Sequence, residues 1–116
     1  MANKAFEKLL LEAVDEALAS LGDSAKQSIY FHLENKFEIE RDEIPQRVED
    51  FAEGLEKIFG VGAQFLKILI MKELYERVGR PLEWRRSERL MFAEYVSAAK
   101  RSFLKGRKRS QALLQK

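Results

Sequence analysis

His32 is the only histidine in this 116-residue chain, and cysteine is absent. A Ser–His pair could do nucleophilic chemistry, and Ser28 stands one helical turn before His32. Such a pair also needs an oxyanion donor and an acid to orient the imidazole, and the spacing around it supplies neither. His32 therefore reads as a boundary residue beside an apolar stripe. A metal site fares no better, because a lone His without Cys, HExxH or HxH companions lacks the ligands for zinc. Gly60-Val61-Gly62 shares two glycines with phosphate loops. It lacks the full GxGxxG or GxxxxGK[ST] spacing and no strand precedes it, so a helix end followed by a tight corner is the better reading. Glu38, Glu40, Asp42 and Glu43 could suggest calcium, but EF-hand spacing and its glycine are missing, which leaves a solvated connector. No catalytic, cofactor-binding or metal-ligating residue is assigned, and the chain is read as not an enzyme.

The charge pattern points to a partner instead. Residues 1–60 hold seven Lys and Arg against fourteen Asp and Glu, while residues 61–116 hold fourteen against five, so the net +2 hides an acidic half and a basic half. Residues 81–116 alone carry ten cations against three carboxylates. The candidate residues for an anionic partner are Arg85, Arg86, Arg89, Lys100, Arg101, Lys105, Arg107, Lys108 and Arg109. Clustered cations of this kind suit an acidic protein surface or a phosphate backbone. The competing reading is a solvated face that pairs with the chain's own acidic half, or with that half of a second copy. Trp84 beside Arg85 and Arg86 is expected to pack over the end of a bundle, with stacking on a base as the alternative. No Asn or Gln stands among the basic residues of the fifth helix, up to about Lys105, to read adenine edges, so duplex binding would be tolerant of sequence.

The elements that must position these residues follow from apolar spacing. A chain of this length can bury about two thirds of its surface, enough for one core. Hydrophobic residues at 46% and charged residues at 34% fit a helical protein with charged outer faces rather than a disordered one. The first residues carry carboxylates where a secretory signal needs an apolar run. The run Ile68-Leu69-Ile70-Met71 is far shorter than the ~20 residues that span a bilayer. A soluble, cytoplasmic protein with no membrane contact is expected.

Five helices are read. The first covers about Asn3 to Leu21, with Phe6, Leu10, Val14, Ala17 and Leu21 recurring at three or four residues. Ser24 and Gln27 have capping-box spacing and open a second helix to about Phe37, faced by Ile29, Leu33 and Phe37. A polar connector follows, and Pro45 belongs in the first turn of a third helix striped by Val48, Phe51, Ala52, Leu55, Ile58 and Phe59. The fourth, about Val61 to Val78, is apolar nearly all round and is taken as the central core helix. Gly79-Arg80-Pro81 stops it. The fifth runs from Pro81 or Ser87 to Lys105, with Met91, Phe92, Tyr95, Val96, Ala98, Ala99 and Phe103 on one side and the cations on the other. Gly106 is expected to end or loosen it.

The strings SLGDSAKQSIYFHLENKF, EIP and FAEGLEKIFGVGAQFLKILIMKELYERVG resemble a small archaeal helical domain, the Nitrosopumilus output domain of the fifth type (NitrOD). The resemblance covers about Phe6 to Gly79 and is carried by Leu21-Gly22, Tyr30-x-x-Leu33, Ile44-Pro45 and Phe59-Gly60-x-Gly62. It implies a domain that occurs alone or attached to archaeal signalling proteins, and it brings no catalytic residues. Residues 80–116 lie outside it. The expectation is an all-α bundle of about five helices, with residues 1–79 as the NitrOD-like domain and residues 80–116 as a basic amphipathic helix and tail packed on it. The expected role is a non-enzymatic regulatory or scaffolding module that self-associates, a dimer first, by exchange of the fifth helix. Sequence-tolerant nucleic-acid binding is the alternative.

Overall fold

Phe6, Leu10, Val14 and Ala17 recur at helical spacing, and that stripe is buried along α1 (Ala2–Ala19). The structure, a computed structural model, describes residues 2–79 and 92–114, with side chains described for 4–79 and 92–105. After α1 come α2 (Asp23–Phe37), a 3-10 turn (Arg41–Gln46), α3 (Val48–Phe59), a short 3-10 turn (Gly60–Gly62), α4 (Ala63–Val78) and α5 (Phe92–Leu114). The described residues contain no strand, and the fold is an all-α bundle.

α1 stops two residues before the expected end. The Leu21 and Gly22 N–H groups donate to the Leu18 and Ala19 carbonyls at 3.0 and 2.9 Å, a tighter winding that rotates Leu21 away from the core face. Leu21 is accordingly 43% exposed. The expected Ser24 cap is also corrected. α2 begins at Asp23 with Gly22 at its N-cap and no side-chain capping bond. Gly22 adopts φ 104°, which a residue with a Cβ resists, and Asp23 places a carboxylate at the positive end of the helix.

The connector is more than polar. The Ile39 N–H donates to the Leu33 carbonyl at 3.0 Å, closing α2, and Ile39 and Ile44 are both buried in the core. Glu40 and Glu43 form a reciprocal capping box around the 3-10 turn. Pro45 lies inside that turn, so it precedes α3 rather than opening it.

α4 is central, with α1, α3 and α5 against it. Ala63, Leu66, Ile70, Met71, Leu74 and Tyr75 face inward. The helix is covered on several sides, and the remaining side stays open, where Phe65 is 64% exposed and Ile68 and Leu69 are half-buried. Three neighbouring helices enclose only part of a helical cylinder. α3 approaches α2 at Gly54, where an added Cβ would come within 2.9 Å of Leu33 Cδ2.

α5 packs on α1, α3 and α4 of its own chain. Phe92, Val96 and Ala99 are buried, Phe92 lies 6.3 Å from Phe51, Phe103 lies 5.9 Å from Phe6, and the Tyr75 hydroxyl donates to the Tyr95 carbonyl at 2.8 Å. Its apolar face is thus covered without exchange between copies. The helix also continues through Gly106 to Leu114. An interior glycine costs about 1 kcal/mol relative to alanine, which flanking Lys105, Arg107 and Lys108, all good helix formers, do not add to. Residues 80–91 lie outside the described residues, and with them the expected helix start, Trp84 and Met91.

Candidate interaction surface

Five of the ten Lys and Arg described before α5 form ion pairs within the chain. Tyr30 of α2 donates its hydroxyl to Asp15 Oδ1 of α1 at 2.5 Å, and Arg41 grips both Asp15 oxygens at 3.0 and 2.5 Å. Burial pushes the Asp15 carboxyl up, but its bonds to Arg41 and Tyr30 outweigh that and hold it below the usual carboxylate range. Burial and the bond to Asp15 raise Tyr30 well above an ordinary tyrosine, and the bond to Asp15 raises Arg41 likewise. Arg77 on α4 reaches Glu12 of α1 at 3.8 Å and Glu73 at 2.7 Å. Lys67, buried within α4, ends its stem at the exposed Glu56 carboxylate of α3. Arg47 pairs with Asp50 and Lys57 with Glu53.

Lys100, Arg101 and Lys105 behave differently. They stand on α5, Lys100 half-buried and the other two exposed, and among the described residues none takes part in an ion pair. Lys4, Lys8, Lys26, Lys36 and Lys72 also lack one, but they are scattered over three helices. The competing reading, in which α5 pairs with the acidic half of its own chain, therefore finds no ion pair at these three cations. Arg107, Lys108 and Arg109 lie within the helix, but their side chains lie outside the described ones. Arg85, Arg86 and Arg89 lie outside the described residues altogether.

Beside these cations runs a groove between α5 and the segment Pro45–Asp50. Its middle, of about 430 Å³, has an apolar lining of Phe6, Pro45, Val48 and Val96, with Glu7, Gln46, Ser97 and Lys100 at its polar edge. Gln46 Nε2 donates to both Glu7 oxygens at 2.7 and 2.8 Å, which fixes that edge. Ser97 also lines the adjoining stretch, where Glu49 and Glu94 face the groove near Arg101. Glu49 and Glu94 hold no ion pair among the described residues. Arg101 thus shares its stretch of the groove with Glu49 and Glu94, while Lys100 edges the apolar hollow beside Glu7.

His32 is half-buried and meets the exposed Phe31 ring edge-on at 6.1 Å, and no hydrogen bond joins it to Ser28. Among the described residues no group of three His, Cys, Asp or Glu could hold a metal ion, and no helix is long and apolar enough to cross a membrane. The sequence reading missed Lys67, Gly54 and the groove. A charged residue between Leu66 and Ile68 and a glycine inside the α3 stripe were the available signals for the first two. The groove had none, because its walls come from three segments distant in sequence. Comparison with models of protein families, with curated proteins and with solved structures finds no match to this chain.

Proposed function

We propose that this protein is a non-enzymatic interaction module, regulatory or scaffolding in role, that docks acidic protein surfaces through the outer side of α5 and associates with further copies of itself. The observation that carries the reading is the clustering of Lys100, Arg101 and Lys105 on one helix without an ion pair among the described residues. Uncompensated charge of one sign stores repulsion that an anionic partner relieves. The resemblance of residues 6–79 to an archaeal output domain supports a regulatory role within a signalling system. A cytoplasmic setting belongs to the same reading.

Nucleic acid is the second reading, favoured by the continuation of α5 through Arg107, Lys108 and Arg109, which lengthens the basic helix beyond the end expected from Gly106. A salt-titrated binding assay with a polyglutamate peptide and a mixed-sequence DNA duplex tests both. The peptide should bind with an affinity that falls as salt rises, and the duplex should show negligible binding near about 150 mM salt. A duplex that binds at that salt while the peptide does not reverses the order of the two readings.

A further inference from the structure

We propose that the hollow between α5 and residues 45–50 binds a free α-amino acid with a large apolar side chain. The side chain lies against Phe6, Pro45, Val48 and Val96, the α-carboxylate meets Lys100 and the α-ammonium meets Glu7. The site is independent of whether the outer side of α5 docks acidic proteins.

Opposite charges line this one hollow without meeting each other. Glu7 of α1 and Lys100 of α5 are both half-buried at its edge, and neither holds an ion pair among the described residues. Glu7 is fixed by Gln46, whose Nε2 donates to both carboxylate oxygens at 2.7 and 2.8 Å. Each of those oxygens keeps a further lone pair, and the Gln46 carbonyl oxygen accepts no hydrogen bond among the described residues. The wall built from α1 and residues 45–50 therefore offers acceptors. The wall built from α5 offers donors, because the Ser97 hydroxyl and the Lys100 amine stand three residues apart on one face of that helix.

An ammonium needs acceptors and a carboxylate needs donors, and an α-amino acid carries both groups on one carbon. A carboxylate without an amine would face Glu7 uncompensated, and an amine without a carboxylate would face Lys100. A neutral apolar molecule would take both charges from water and return no hydrogen bond. Between the two walls the lining is apolar, with Phe6 and Val96 themselves part of the core. The hollow of about 430 Å³ admits a phenyl ring or a branched aliphatic chain; a dry cavity of about 150 Å³ already holds benzene. The adjoining stretch lacks this match, since Glu49 and Glu94 outnumber Arg101 there and Ala93 is its apolar lining.

NMR titration of the full chain with L-phenylalanine tests the site, beside 3-phenylpropanoate, 2-phenylethylamine and glycine, which lack the amine, the carboxylate and the apolar side chain in turn. L-phenylalanine should shift the Ser97 amide and saturate with a dissociation constant on the order of 1 mM, as a ligand of its size in a half-open hollow allows. The two singly charged probes should each bind about threefold more weakly or worse, and glycine about tenfold more weakly or worse. Two variants read which charge meets which group. Lys100→Gln should bind L-phenylalanine and 2-phenylethylamine alike, and Glu7→Gln should bind L-phenylalanine and 3-phenylpropanoate alike. A merely structural disturbance would weaken all ligands together, and circular dichroism checks that helix content is kept. Lys105→Gln, which does not line the hollow, should leave every affinity unchanged. Absence of saturable L-phenylalanine binding, equal affinity of the wild type for the three phenyl ligands, or survival of the original preference in either variant overturns the proposal.

Discussion

Arg41, Arg47, Lys57, Lys67 and Arg77 each pair with a carboxylate of their own chain, whereas Lys100, Arg101 and Lys105 on α5 pair with none among the described residues. In the first group the charge joins segments: Arg41 links the 3-10 turn to α1, Arg77 links α4 to α1, and Lys67 links α4 to α3. The partly exposed pairs of Arg41 and Arg77 contribute only about 0–1 kcal/mol each, so their role is mostly to select a register, whereas the Lys67 amine is buried. α5 is held by Phe92, Val96 and Ala99 and needs no charge to be held. The difference teaches that Lys100, Arg101 and Lys105 do not hold α5 in place through ion pairs among the described residues.

The largest test of this division lies in the core that both regions share. Leu74→Ala should lower unfolding stability by about 2–5 kcal/mol in urea titrations, because the side chain is fully buried. Leu69→Ala, at a half-buried position, should cost less than half of that. Equal effects would show that the open side of α4 is covered after all.

Next in size is Glu56→Ala, which leaves the buried Lys67 amine without its carboxylate and should cost about 1–3 kcal/mol. Glu49→Ala removes a carboxylate with no ion pair among the described residues and should stay within about 0.5 kcal/mol. If the two variants melt alike, the contrast between engaged and free charge is wrong.

The Asp15–Tyr30–Arg41 cluster sharpens the comparison through pH. Asp15 is depressed in the folded state, so its contribution is present above the ordinary carboxylate value near about pH 4 and is lost as pH falls toward its lower folded value. Tyr30 is raised, so its contribution is complete below about pH 10 and is lost as pH rises beyond it. Asp15→Asn should flatten the acid limb of a stability–pH profile and shrink the alkaline one.

The smallest expected change in stability comes from Lys100→Gln/Arg101→Gln/Lys105→Gln, within about 0.5 kcal/mol of wild type, together with loss of polyglutamate binding. A marked destabilisation would mean that α5 does lean on in-chain charge.

The periodic stripes of α1, α3 and α4 and the stop at Gly79 were legible because apolar spacing and a glycine after it act locally. Ser24 misled, since capping-box spacing carries no information about the reversal that only Gly22 could make. Gly106 misled for a related reason: its propensity cost is small beside the continuity of a helix of 23 residues. Ile39 and Ile44 sit in a charged segment that reads as solvent-facing, and their burial follows from where α2 ends against the core. Of the candidate cations, type and clustering were plain in the sequence. That Lys100, Arg101 and Lys105 hold no ion pair among the described residues was not, because an ion pair depends on distances between segments that spacing along the chain leaves undetermined.

By itself the sequence determined the all-α class, the helices and the division of charge, since periodicity, turn residues and net charge are properties of neighbouring residues. Only the tertiary structure decided that α4 keeps one side open, that α5 folds onto its own chain, and that Phe6, Pro45, Val48 and Val96 meet to line a groove. Those outcomes depend on which segments share a surface, and that is settled by packing across the whole chain rather than by any local stretch of it.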